Sequence, residues 1–180
     1  MTMINPKILI LPDIHGRKFY CNALCEAVDK GAEIVCLGDY LDPYPGDDLH
    51  EKGVFAPLKE LVEVKKQYPD RVHLLIGNHD SSYMLNRHLC EHRYDYKQAP
   101  FYQKFFRENY DLFEYVNEKS FPWDDVIQIF GHTQQNLHPA RIGELAYCLD
   151  CRQPFYIDGE GVLRSYYWSD EQIKAINLEK

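Results

Sequence analysis

No stretch of this chain approaches the ~20 consecutive apolar residues that cross a bilayer, which excludes a helical membrane protein. The first residues, Met1-Thr2-Met3-Ile4-Asn5-Pro6, lead straight into a strand-like run, so no signal peptide is expected. Basic residues are in deficit: 20 Lys and Arg stand against 28 Asp and Glu, a net charge of −8. Without a basic stripe to neutralise phosphates, neither nucleic acid nor a membrane surface is expected as a partner. A second cysteine pair is lacking too. Cys148 and Cys151 form a lone Cys-x-x-Cys, and a zinc knuckle needs another pair. Cys21, Cys25 and Cys36 fall in apolar patterns and read as buried thiols. Nothing points to secretion, so the expected compartment is the cytoplasm. Repeats, linkers and low-complexity segments are also missing.

What the chain does have is material for one core. Its 180 residues read as a single domain over 1–180, 45% of them hydrophobic. Fourteen Tyr and nine Phe argue for aromatic packing rather than disorder. Short apolar runs predict strands over 7–11, 33–37 and 72–76, separated by helical patterns over 18–30 and 54–67. This β-α-β-α-β alternation implies a parallel sheet with right-handed crossovers. The stretch from Ser81 to Tyr115 reads as mostly helical, with Phe101, Phe105, Phe106, Leu112 and Phe113 as core-facing stripes. Beyond Pro122 the pattern predicts strands over 126–130, 145–149, 155–157 and 162–168. These are taken as a second, largely antiparallel sheet.

Four of the apolar runs end directly in residues that bind metals well: Asp13-Ile14-His15, Gly38-Asp39-Tyr40-Leu41-Asp42, Gly77-Asn78-His79-Asp80 and Gly131-His132-Thr133. Carboxylates, an amide oxygen and imidazoles at strand ends are the donors a two-metal hydrolase requires. A single Asp-x-His could be an ordinary Asx turn. Four such segments in series make chance a poor explanation.

These segments resemble the calcineurin-like metallophosphoesterases, whose pattern is DxH, GDxxD, GNH[DE], a further lone His and a final GHxH or GHT. The resemblance covers about Lys7 to Asp158, with a lean towards the serine/threonine phosphoprotein phosphatase branch. It implies an α/β fold, an αββα sandwich that is here truncated in the second sheet. It implies two divalent metal ions drawn from Mn, Fe, Zn or Mg. Asp13, His15 and Asp39 would hold the first, and Asp39, Asn78 and His132 the second. His79 would be the general acid, oriented by Asp42, while a metal-activated hydroxide attacks phosphorus.

The chain departs from the pattern at three places. No apolar strand ending in His lies between Tyr115 and the Gly131-His132 run, so the second metal lacks one ligand and its site is expected to be weak or empty. His88, His92 and His138 are the remaining candidates to replace it. Gln134 stands where a final His often completes the first site. Pro43 stands where the phosphoprotein phosphatase branch places a phosphate-gripping Arg, leaving Arg17 and Arg141 as candidate substitutes. A missing strand exposes a sheet edge, which a second copy of the chain could cover as a homodimer. The expected activity is hydrolysis of a small phosphorylated substrate or a phosphopeptide. The alternatives are a protein phosphatase and a weak or inactive metal-binding remnant.

Overall fold

The computed structural model describes residues 6–49, 51–85, 93–114, 126–142 and 144–178. The first half builds the expected alternation. Strand β1 (Ile8–Leu11) is followed by α1 (Cys21–Lys30), β2 (Glu33–Cys36), α2 (Glu51–Gln67), β3 (Val72–Leu75) and α3 (Asn78–Met84). Helix α1 stops where Gly31 takes a left-handed φ of 72° and donates its N–H back to Ala27 and Val28. Then come α4 (Ala99–Glu108), a 3-10 turn (Tyr110–Leu112) and β4 (Phe113–Glu114). The second half is strand-rich: β5 (Gln128–Phe130), β6 (Ala140–Ile142), β7 (Ala146–Cys148), β8 (Phe155–Ile157), β9 (Val162–Ser165) and β10 (Ile176–Asn177).

These strands form a seven-stranded sheet, ordered β10-β9-β8-β1-β2-β3-β4, and a three-stranded sheet, ordered β5-β7-β6. Strands β1 to β4 run parallel, and β8 joins β1 antiparallel through Ile8–Ile157 and Ile10–Phe155. This corrects the expected assignment of 155–157 and 162–168 to the second sheet. That hairpin extends the first sheet, because Phe155 and Leu163 have their apolar partners around Ile10 of β1. The second sheet is smaller than expected and not purely antiparallel, since β5 and β7 pair in parallel. The short edge strands β4, β6 and β10 carry too few residues for a periodic signal, and the sequence did not announce them. The loop read as the shortened part of the chain lies outside the described residues, as do His88 and His92.

Strand β1 is buried on both faces. Leu9 and Leu11 join a core made with α1, α2 and α4 through Leu24, Leu58, Leu61 and Phe106. Ile10 points the other way, into a second core with Leu149, Phe155 and Leu163, against which Ile129 of β5 packs. Continuous apolar runs, rather than alternating ones, are what such a central parallel strand needs. The two sheets are thus stacked through β1, and the carboxyl ends of β1, β2, β3 and β5 open towards one place. Among the described residues no helix is long and apolar enough to cross a membrane. Phe106, fully buried, links α4 to this core. Phe106→Ala is expected to lower stability by about 3–5 kcal/mol in a urea melt.

Candidate metal centre

The four strand-end loops bring the expected residues together. Asp13, His15 and Asp39 are all buried, and each offers a ligand atom within 4.8 Å of the others. His15 Nδ1 is 2.8 Å from the Leu41 carbonyl, so Nδ1 carries the proton and Nε2 is left as the donor atom. Asp39 Oδ1 accepts from the His79 N–H at 2.9 Å, and Asp13 Oδ1 accepts from the His132 N–H at 2.7 Å. Asp13 Oδ2 is buried with no hydrogen-bond partner.

Close packing of carboxylates against backbone requires glycine at two positions. A Cβ on Gly77 would lie 2.2 Å from Asp39 Oδ1, and one on Gly131 would lie 1.7 Å from Asp13 Oδ2. The glycines of the third and fourth segments therefore make room for the aspartates of the second and first. The loops are also bent into an uncommon backbone region. Among the described non-glycine residues with positive φ are His15, Asp39, Asp42 and His132, at 46°, 49°, 57° and 80°. Strain of this kind gathers at functional sites.

Asn78 and His132 lie on the more open side. Their side chains touch, with Nδ1 2.7 Å from Oδ1, and His132 is exposed. With Asp13 and Asp39 they line a cavity of about 340 Å³, walled further by Leu75 and Ile76 at the end of β3 and by Ile129 and Phe130 of β5. His138 is exposed on the loop before β6.

The electrostatics favour a cation. Burial first, and the Asp39 charge second, push the Asp13 carboxyl up to about 7. Burial likewise raises Asp39. Burial lowers His15 to about 3, so its imidazole is neutral and able to ligate. Two buried carboxylates, one orphaned oxygen and a neutral imidazole are a donor set that a divalent cation satisfies.

His79 sits at the edge of this cluster, its ring centroid 5.3 Å from that of His15. Its Nδ1 is 2.9 Å from Asp42 Oδ2, and both residues are buried. The Tyr83 hydroxyl donates to the other Asp42 oxygen. Asp80, fully buried, accepts from Tyr40 N at 2.9 Å and Gly77 N at 3.2 Å and so ties the second loop to the third.

A family model described as calcineurin-like phosphoesterase matches residues 6–173. The chain belongs to this family. Among solved structures it is similar to YfcE, a phosphoesterase from E. coli, with a TM-score of 0.53 and 18% identity over 96% of this chain and 99% of that one. No curated protein sequence matches it.

Family membership does not supply the arginines. Arg17 lies beside the site, its Nε 3.1 Å from Asp47 Oδ2 and its two terminal nitrogens buried without hydrogen-bond partners. Arg141 lies elsewhere, donating to the Glu144 carbonyl at 2.7 Å and lining a separate cavity with His138 and Lys174. Sequence reasoning missed Arg93, Arg152 and Asp150. Arg93 donates to the Asp42 carbonyl at 2.7 Å, and its other terminal nitrogen is 2.9 Å from His79 Nε2. The guanidiniums of Arg17, Arg93 and Arg152 stand 5.1, 3.9 and 5.3 Å from the Tyr44 ring centroid. Tyr44 in turn meets His15 edge-on. Neither Arg93 nor Arg152 follows a metal motif, and the sequence carries no signal that would have selected Arg93.

The cysteines are thiols among the described residues. Cys148 Sγ donates to the carbonyls of Gly131 and Thr133, holding the His132 loop, and burial pushes Cys151 up to about 12. Cys36 is buried as expected, but Cys21 is only half-buried and Cys25 is exposed, because they fall on the outward side of α1.

Two measurements check the centre. Gly131→Ala is expected to weaken manganese binding in calorimetry by about tenfold or more while leaving the far-ultraviolet circular dichroism unchanged. The second is pH dependence. A carboxyl raised in the folded state stabilises the metal-free protein fully below its ordinary value of 3.8 and loses that contribution as pH rises through about 7. The metal-free melting temperature should therefore fall over that interval, while the gain on adding manganese should grow.

Proposed function

We propose that the chain hydrolyses phosphate esters in a metal-dependent reaction with His79 as general acid. The observation that carries this reading is His79 itself. It is buried beside His15 of the Asp13, His15 and Asp39 cluster, with Nδ1 tied to Asp42 and Nε2 met by Arg93. Divalent cations held by Asp13, His15 and Asp39, and by Asp39, Asn78 and His132, would supply neutralisation of the phosphoryl charge and an acidified water.

The chain's own residues do the rest. Asp42 fixes the imidazole with Nδ1 protonated and stabilises the positive ring that forms when Nε2 also takes a proton. Tyr83 holds the second Asp42 oxygen, so the carboxylate cannot rotate away. The water oxygen bonds to phosphorus as the ester P–O bond breaks. The departing alcohol takes its proton from His79 Nε2, and the water's proton is lost to solvent.

Arg93 must move for this to happen. A guanidinium nitrogen on Nε2 needs that nitrogen's lone pair, whereas a general acid needs a proton there. A substrate phosphoryl group offers Arg93 a stronger, bidentate partner. Arg93 thereby takes the task that Pro43 cannot perform.

The open half of the centre supports a second reading, a weakly active remnant. His132 is exposed and meets Asn78, so a second cation would be held by this open pair together with Asp39. Calorimetry with manganese separates the two. Two binding events with turnover support the enzyme, and one event without turnover supports the remnant. For an alkyl phosphate, His79→Ala is expected to lower kcat by about 10²–10⁴, and much less for p-nitrophenyl phosphate, whose leaving group needs no proton. Asp39→Asn should abolish both metal binding and turnover. Equal loss on both esters in His79→Ala would remove the general-acid assignment.

A further inference from the structure

We infer that the cleft beyond Arg93 is a leaving-group subsite for a single flat aromatic ring, so that the preferred substrates are phosphate esters of aromatic alcohols. The inference rests on the hydrolase reading above and names its substrate class. A cleft of about 370 Å³ adjoins the centre and shares Asp42 and Arg93 with it. Its walls are Pro43, Tyr44, Pro45, Leu49, Val54 and Tyr102. Ligand pockets span about 300–1,000 Å³, so this one is at the small end and suits one ring rather than a long chain or a dinucleotide.

Its position decides which part of a substrate enters it. In an in-line displacement the leaving oxygen faces the proton donor, here His79 Nε2. The group attached to that oxygen must extend past His79, away from Asp13 and His15. Arg93 marks that direction, lying between His79 Nε2 and the cleft while donating to the Asp42 carbonyl.

The walls decide its chemistry. The Arg93 guanidinium lies 3.9 Å from the Tyr44 ring centroid, so the face of Tyr44 already holds a flat, delocalised group. When Arg93 leaves His79 for the phosphoryl group, that face is uncovered and a flat ring can replace the guanidinium. Two prolines and two aliphatic side chains close the remaining sides, offering apolar contact and little to bind a sugar or a short polar alcohol. Asp95 is the one acidic side chain on the wall apart from Asp42, and its Oδ1 is occupied by the N–H groups of Lys97 and Gln98. The two carboxylates on the wall disfavour an anionic leaving group.

The test compares benzyl and ethyl compounds, whose alcohols have nearly the same acidity, so chemistry does not mask recognition. On manganese-loaded protein, benzylphosphonate is expected to bind about tenfold tighter than ethylphosphonate in calorimetry, and benzyl phosphate to show a similar advantage in kcat/KM over ethyl phosphate. Leu49→Trp, which fills the cleft from a half-buried loop position, should collapse both ratios. The wild-type comparison decides the matter without any variant. Equal affinities, or binding of neither phosphonate, overturn the subsite. Turnover of both esters at equal kcat/KM also overturns it while leaving the hydrolase reading intact. A benzylphosphonate preference without turnover of either ester upholds the subsite and removes the hydrolase reading.

Discussion

Asp13 and Asp39 repel each other inside the protein, and much of the site can be understood as the means of holding them there. Two carboxylates out of water cost free energy unless a positive charge answers them. The fold accepts that cost by bending the backbone at His15, Asp39, Asp42 and His132 into the left-handed region. It gives up side chains at Gly77 and Gly131, where any Cβ would collide with the carboxylates. It uses Asp80 as a bracket between the second and third loops. Each device is costly to the apoprotein and sensible for a protein that carries a cation at this point.

Charge around the centre is arranged in layers. Outside the ligand cluster, Arg17, Arg93 and Arg152 surround Tyr44, and Asp47 lies near two of them, 3.1 Å from Arg17 and 3.5 Å from Arg152. Asp150 is fully buried with both oxygens lacking hydrogen-bond partners, and burial, then the Asp13 charge, raises it to about 6. Cationic side chains next to cationic metals would be poor design if the site held nothing else. They are reasonable if it admits an anion, since a phosphoryl group gives guanidinium and metal a common partner.

Much of this was legible in the sequence because the ligands follow strands. Short apolar runs located β1, β2 and β3, and the ligand residues directly follow them. The second sheet was harder. Phe155–Ile157 looks the same whether it pairs with β7 or with β1, and only the tertiary packing of Phe155 against Ile10 settles it. Arg93 and Asp150 were illegible for a different reason. Their roles depend on which loops meet, and no local spacing encodes that meeting. Arg17 fell within reach because it directly follows the first motif, whereas Arg141, chosen by residue type alone, lines another cavity.

The bond between the His132 N–H and Asp13 joins residues 119 apart in the chain. Strand β1 likewise gains its antiparallel neighbour only when residues 155–157 arrive. Contacts of such range are slow to form, because loop-closure entropy must be met before they stabilise anything. During synthesis, a nascent chain carrying Asp13, His15, Asp39 and Asn78 still lacks both the peptide group that orients Asp13 and the imidazole that faces Asn78. The His132–Asp13 bond is therefore completed late, with the second half of the chain rather than with the early βαβ units. A ribosome-bound intermediate would meanwhile expose one edge of its most apolar strand.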